Sequence, residues 1–182
     1  MIEDISIIIL AGGKSSRMGE DKGLMTLYDK PMVEFVIDVA RNITDHILII
    51  SNNSNYKKFG FPVFKDIEKN KGPMGGIHTG LSRSDKYKNL VLSCDVPYVS
   101  EELLRFLYLQ SEHKDITLPV HADRSHQLMG YYTKDCIPVF EKMMKEDNLK
   151  IRNTFDKLRV HLVDCDQFPE NIFRNINSKQ DV

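Results

Sequence analysis

No stretch of this chain approaches the roughly 20 consecutive apolar residues that a membrane-spanning helix needs. The longest apolar runs are short segments such as Ile7-Ile8-Ile9-Leu10-Ala11, so no membrane partner is expected. Cysteine is sparse. The three present, Cys94, Cys136 and Cys165, are far apart and form no C-x-x-C pair; their odd number suits a reducing compartment. Neither sign of charge dominates: 25 Lys and Arg stand against 26 Asp and Glu, a net charge of −1. Nothing in that balance marks a nucleic-acid-binding face. The first residues, Met1-Ile2-Glu3-Asp4, are acidic and the apolar run after them is too short for a signal peptide, so a cytoplasmic location is expected. Also missing are a G-x-x-x-x-G-K-[ST] loop and a G-x-G-x-x-G fingerprint, which leaves kinase-type and dinucleotide-type cradles unsupported. The six histidines are scattered, and no Ser/His/Asp or Cys/His constellation stands out.

What is present is an alternation of strand and helix patterns without repeats or low-complexity linkers. Ile5 to Leu10, His46 to Ser51, Phe61 to Phe64 and Leu90 to Cys94 read as buried strands. Met32, Val33, Val36, Val39, Ala40 and Ile43 recur at helical spacing, with Pro31 suited to the first turn. A second helix begins between Gly76 and Leu81, and a third opens at Ser100, a good N-cap, and runs through Leu109. Later, Ile116 to Val120, Leu128 to Tyr132 and Val160 to Val163 look like strands, and Pro138 to Lys145 like a helix. The expected architecture is a three-layer α/β sandwich: a mostly parallel sheet, helices on both faces, and an antiparallel strand in the second half. A length of 182 residues makes one domain, 1–182, the default.

Leu10-Ala11-Gly12-Gly13-Lys14-Ser15-Ser16-Arg17-Met18-Gly19-Glu20-Asp21-Lys22 follows the first strand. Two glycines let backbone amides approach a ligand, and consecutive amides form an anion-binding nest. Arg17 and Lys22 add full positive charge, so the segment reads as a polyphosphate cradle at the carboxyl end of a strand, where ligands of open α/β sheets bind. Asp95 ends the fourth apolar strand on the same expected edge. A carboxylate facing polyphosphate is what Mg²⁺ uses, since that ion takes one or two carboxylates plus phosphate oxygens; a turn cap is the alternative. Asp66, after the third strand, either accepts hydrogen bonds from a ribose or base or caps its loop. Gly72-Pro73-Met74-Gly75-Gly76 reads as a tight turn before a helix, or as a close backbone approach to a nucleotide.

Together these pieces resemble the molybdenum cofactor guanylyltransferases, within the wider nucleotidyltransferase family. The carriers are LAGGKSSRMGEDKGL at Leu10 to Leu24, KP at Lys30-Pro31, GPMGGI at Gly72 to Ile77, CDVPY at Cys94 to Tyr98 and FRNINS at Phe173 to Ser178. They run in family order across nearly the whole chain. The resemblance implies a Rossmann-like α/β fold that uses GTP and Mg²⁺ and transfers GMP to the phosphate of molybdopterin, releasing pyrophosphate. It implies that Leu10, Ala11, Gly12 and Gly13 lie at the nucleotide, Arg17 and Lys22 on its phosphates, and Asp66 at the guanine nucleotide. It also implies that Asp95 meets both nucleotide and Mg²⁺, with Asn175 and Asn177 near product and metal, Asn177 as a neutral ligand. Cofactor-delivery proteins are a further implied partner. Ser125-His126-Gln127-Leu128 departs from the family by lacking a proline after the histidine. The alternatives are a cytidylyl- or sugar-nucleotide-type transferase and a non-catalytic nucleotide-binding regulator.

Overall fold

The computed structural model describes residues 1–12 and 21–176. Gly13, Arg17 and Asn177, three of the expected site residues, lie outside the described residues. Strand β1 (Ile5–Leu10) is buried along its whole length. A small antiparallel hairpin follows, β2 (Thr26–Leu27) with β3 (Lys30–Pro31). Helix α1 (Met32–Ile43) buries Met32, Val33, Val36, Ile37, Ala40 and Ile43. Ile37 takes the place expected of Val39, which is partly buried, and Pro31 sits just before the helix instead of in its first turn. Then come β4 (Ile47–Ile50), β5 (Val63–Phe64), α2 (Gly72–Arg83), β6 (Lys88–Ser93) and α3 (Glu101–Leu109). The Ser100 hydroxyl caps α3 by accepting from the Leu103 amide at 3.2 Å. The second half adds β7 (Ile116–His121), β8 (Arg124–Ser125), β9 (Met129–Thr133), α4 (Cys136–Lys145) and β10 (Val160–Asp164).

The main sheet runs β5-β4-β1-β6-β9-β7-β10, with β8 hydrogen-bonded to β7. Strands β5, β4, β1 and β6 are mutually parallel, and β7 and β10 are parallel to one another. Strand β9 is antiparallel to both β6 and β7, which is the expected antiparallel strand of the second half. Alternate side chains of β1 serve opposite layers. Ile5, Ile7 and Ile9 pack with residues of α1 and α3, whereas Ile8 and Leu10 pack with residues of α2 and α4. A strand covered on both faces is apolar along most of its length, which is why β1 shows no polar alternation; its one polar residue, Ser6, is buried and accepts the Ser84 hydroxyl at 3.0 Å.

The GPMGG segment corrects the sequence reading. It is not a turn ahead of a helix but the first turns of α2, which starts at Gly72. Only Gly72 uses a left-handed backbone, at φ +56°. Gly76 and Gly80 lie one helical turn apart and face β1. A Cβ on Gly80 would stand 2.4 Å from Ile8 Cγ2, and one on Gly76 would stand 3.3 Å from Leu10 Cδ2. These glycines let the helix axis settle close over the strand.

Candidate active site

The carboxyl ends of β5, β4, β1 and β6 emerge on one edge because the four strands are parallel. The order reverses between β1 and β6: the chain leaves β1 for β4 on one side and later returns to β6 on the other. Such a switch point opens a crevice in which open α/β sheets hold ligands. Its walls are held by main-chain bonds past the strand ends. The Ala11 amide donates to the Ile50 carbonyl at 2.9 Å, and the Cys94 amide donates to the Leu10 carbonyl at 3.0 Å. Gly12 is exposed, and a Cβ there would meet only the Ile50 carbonyl oxygen, at 3.9 Å. Leu10, by contrast, has its side chain buried in the core beneath Gly76.

Lys22 stands on a short 3₁₀ turn, Lys22–Leu24, capped by Asp21. Asp21 Oδ1 accepts the Gly23 amide at 3.2 Å and the Tyr56 hydroxyl, and Oδ2 accepts the Asn53 side-chain amide at 3.0 Å. Gly23 is wedged between neighbours: a Cβ on it would lie 2.3 Å from the Tyr56 hydroxyl and 3.0 Å from Cys94 Sγ. Burial, then the negative charges of Asp95 and Asp21, push the Cys94 thiol far above its usual range. It stays protonated and behaves as a small apolar side chain, not as a nucleophile.

Asp95 leaves the end of β6 one residue further on. Its Oδ1 is buried and has no hydrogen-bond partner among the described residues. Its Oδ2 faces the Asn175 side-chain amide at 3.5 Å, and its carbonyl accepts the Ile176 amide at 2.9 Å. A buried carboxylate oxygen without a donor is costly to keep unless something else satisfies it. Among the described residues no cluster of three or more His, Cys, Asp or Glu side chains forms a complete metal cage. A site with one carboxylate suits Mg²⁺, which keeps waters and substrate phosphate oxygens as its other ligands. Asp66, after β5, accepts the Asn52 side-chain amide at 2.9 Å through Oδ2.

Next to Asp95 lies an open cavity of about 810 Å³ lined by His121, His126, Arg124, Phe173, Arg174 and Asn175. The His121 ring stacks on Phe173 with centroids 4.6 Å apart, and the His126 ring lies 4.8 Å from the same phenyl. Burial, followed by the nearby His121 and Arg124, lowers the His126 pKa, so its imidazole is neutral near pH 7.

Of the expected residues, the fold therefore gathers Ala11, Gly12, Lys22, Asp66 and Asp95 on one sheet edge. Sequence reasoning passed over Asp21, Asn52, Asn53 and Tyr56. The two asparagines carried a usable signal, since they follow a buried strand on the ligand-bearing edge. Tyr56 carried none, because its tie to Asp21 spans 35 residues.

A cation-bearing turn and the Asp95 carboxylate along a switch-point crevice define an open α/β protein of the ligand-binding kind. A family model described as the MobA-like NTP transferase domain matches residues 7–162. The chain belongs to that family, and it is an enzyme of the nucleotidyltransferase class. It is 34% identical over 182 residues to a probable molybdenum cofactor guanylyltransferase of Flavobacterium johnsoniae, covering all of this chain and 96% of the relative. It is 35% identical to the molybdenum cofactor guanylyltransferase of Vibrio vulnificus, covering 97% and 92%. The crystal structure of molybdopterin-guanine dinucleotide biosynthesis protein A from Archaeoglobus fulgidus superposes with a TM-score of 0.82 at 23% identity. That match covers 97% of this chain and 94% of the other, and it speaks to the fold.

Proposed function

We propose that this enzyme transfers GMP from GTP to the terminal phosphate of molybdopterin, in the cytoplasm, with release of pyrophosphate. The observation that carries the reading is the buried Oδ1 of Asp95, without a hydrogen-bond partner among the described residues, on the same sheet edge as the Lys22 turn. A phosphate oxygen of the acceptor attacks the α-phosphorus of GTP. One P–O bond forms to that phosphorus, the bond to the bridging oxygen of the β-phosphate breaks, and the electron pair leaves on pyrophosphate.

The acceptor phosphate is already ionised near pH 7, so no general base is required. The chain's work is positioning and charge neutralisation. Lys22, with Arg17, neutralises the phosphates that depart, and Gly12 and Gly13 offer backbone amides to them, while Ala11, whose own amide is spent on the Ile50 carbonyl, holds the wall from which they project. Asp66 receives the guanine nucleoside. Asp95 is the residue that would hold Mg²⁺, with Asn177 as a neutral second ligand. Bound there, the ion supplies electrostatic stabilisation of charge at the transferring phosphoryl group. The cavity walled by His121 and His126 takes the acceptor. Its flat neutral imidazole suits a planar heterocycle, Arg174 and Asn175 line the same cavity, and Asn175 reaches Asp95 Oδ2 at 3.5 Å.

The test is pyrophosphate release by the purified protein with Mg²⁺ and molybdopterin, supplied in turn with GTP, CTP, ATP and UTP. Release with GTP alone supports the reading. Equal release with CTP overturns the guanine assignment, and no release with any nucleotide overturns the transfer to molybdopterin.

A further inference from the structure

We propose that Tyr56 and Asn53 form a clasp on the Asp21 carboxylate that sets the position of the Lys22 ammonium, making Tyr56 a positioning residue for phosphoryl transfer. The inference rests on the role assigned to Lys22 above.

The turn is closed by its own main-chain bonds, from the Leu24 and Met25 amides to the Asp21 carbonyl and from the Met25 amide to the Lys22 carbonyl; these fix its shape, and its placement on the sheet edge must come from what surrounds it. Here the surroundings converge on Asp21. Its carboxylate takes donors from three places: the Gly23 amide inside the turn, the Asn53 amide in the loop after β4, and the Tyr56 hydroxyl on the 3₁₀ segment Ser54–Phe59. Tyr56 is completely buried. A buried phenol usually finds a partner for its hydroxyl, and this one spends it on the carboxylate next to Lys22. Burial and the nearby negative charge keep that hydroxyl protonated, so it remains a donor. Asn53 is itself held in place: its backbone N–H donates to Ser51 Oγ at 3.1 Å, and its side-chain Oδ1 accepts the Asn55 backbone N–H at 3.0 Å.

The clasp also sets the height of the turn. Gly23 sits against both the Tyr56 hydroxyl and Cys94 Sγ, which together leave no room for a side chain. Cys94 directly precedes Asp95. The contact of Gly23 with Tyr56 and Cys94 therefore ties the turn bearing the cation to the strand end bearing the carboxylate. A side chain that must meet a phosphate within a few tenths of an ångström needs such support, since misplacement by about 1 Å can cost about a hundredfold in rate.

Tyr56→Phe keeps the ring and removes the donor. We expect kcat to fall about tenfold, the scale of one charge-assisted hydrogen bond, with a drop of several degrees in the unfolding midpoint that leaves the protein folded at assay temperature. The deciding comparison places Tyr56→Phe in a Lys22→Ala background. A residue that acts through Lys22 has nothing further to lose there, so the double variant should match Lys22→Ala alone. A full, additive loss in the double variant overturns the clasp. Hydrogen exchange gives a readout independent of turnover: Tyr56→Phe should speed exchange of the Gly23 amide while β1 and β6 stay protected. Unchanged exchange at Gly23 overturns the proposal even in a protein that transfers GMP. Accelerated exchange in a protein that releases no pyrophosphate sustains the clasp and sinks the transferase reading instead. If Tyr56→Phe unfolds, Asn53→Ala on its half-buried loop must give the same exchange and the same non-additivity, or the proposal fails.

Discussion

Asn175 turns its side-chain amide toward Asp95 Oδ2 across 3.5 Å, while the other oxygen of that carboxylate is buried without a partner among the described residues. The contact brings the segment after Phe173, which lines the aromatic cavity, against the end of β6. In the proposed reaction two substrates must meet at one phosphorus, and this contact joins the walls proposed for them.

Asp95→Asn keeps the shape of the side chain and removes its charge. Magnesium relies on few protein ligands, so loss of an anionic one should weaken it strongly. Pyrophosphate release should fall by about two to three orders of magnitude, the scale of one lost electrostatic stabiliser, and should recover in part at high Mg²⁺. The unfolding midpoint should barely move. Superimposable curves of activity against Mg²⁺ for the two proteins would remove Asp95 from the reaction.

Much of this was legible in the sequence for a specific reason. Strands β1 and β6 are buried on both faces, and a continuous apolar run is the signature of that burial. Residues at their carboxyl ends, Gly12 and Asp95, could be placed on one edge as soon as the strands were read as parallel. The start of α2 was misread because Gly75 and Gly76 look like turn residues when only the chain is in view. Their reason for being glycine is the nearness of Lys71, Glu68 and Leu10, which only packing reveals. The same holds for Tyr56, whose value depends on a carboxylate far away in sequence.

Gly80→Ala should expose how tightly α2 sits on β1. The added methyl group would meet Ile8 Cγ2 at 2.4 Å and Ile8 Cδ1 at 3.0 Å in a fully buried setting. Overpacking costs about 1–3 kcal/mol, and the better helix propensity of alanine returns about 1 kcal/mol. A net drop in Tm of a few degrees is expected. Gly76→Ala meets only the end of Leu10, at 3.3 Å, and should come close to neutral. Equal melting temperatures for the two variants would contradict the close approach at Gly80.

Asp115, buried at the start of β7, accepts from the Arg159 amide at 2.8 Å and from the Arg159 guanidinium. The guanidinium is the main cause of its lowered pKa, with burial opposing it. A carboxyl whose folded pKa lies below its unfolded value binds protons less readily when folded. Its contribution to stability is complete above the unfolded pKa of about 4 and is lost as pH falls through the folded value. Arg159→Ala should therefore lower the urea midpoint at pH 7, and the gap from the parent protein should close as the pH is taken below about 4. A gap that stays constant to pH 3 would show that Arg159 acts by packing, not by charge.

Asp66→Ala separates binding from chemistry. The side chain lies after β5, and its recorded side-chain bond is to the exposed Asn52 amide at 2.9 Å. A residue that only closed its own loop would, on removal, loosen that loop and lower the Tm without favouring any ligand. One that receives the nucleoside binds ground state and transition state alike, so its loss raises KM and leaves kcat in place. A hydrogen bond to a charged group is worth about 1.5–3 kcal/mol, so KM for GTP should rise about ten- to a hundredfold. Asn52→Ala should act much less, because it leaves the carboxylate in place for the nucleotide. Titrating GTP against each variant, with thermal melts alongside, decides between the two roles: a fallen Tm with unchanged KM assigns Asp66 to its loop and withdraws it from the nucleotide.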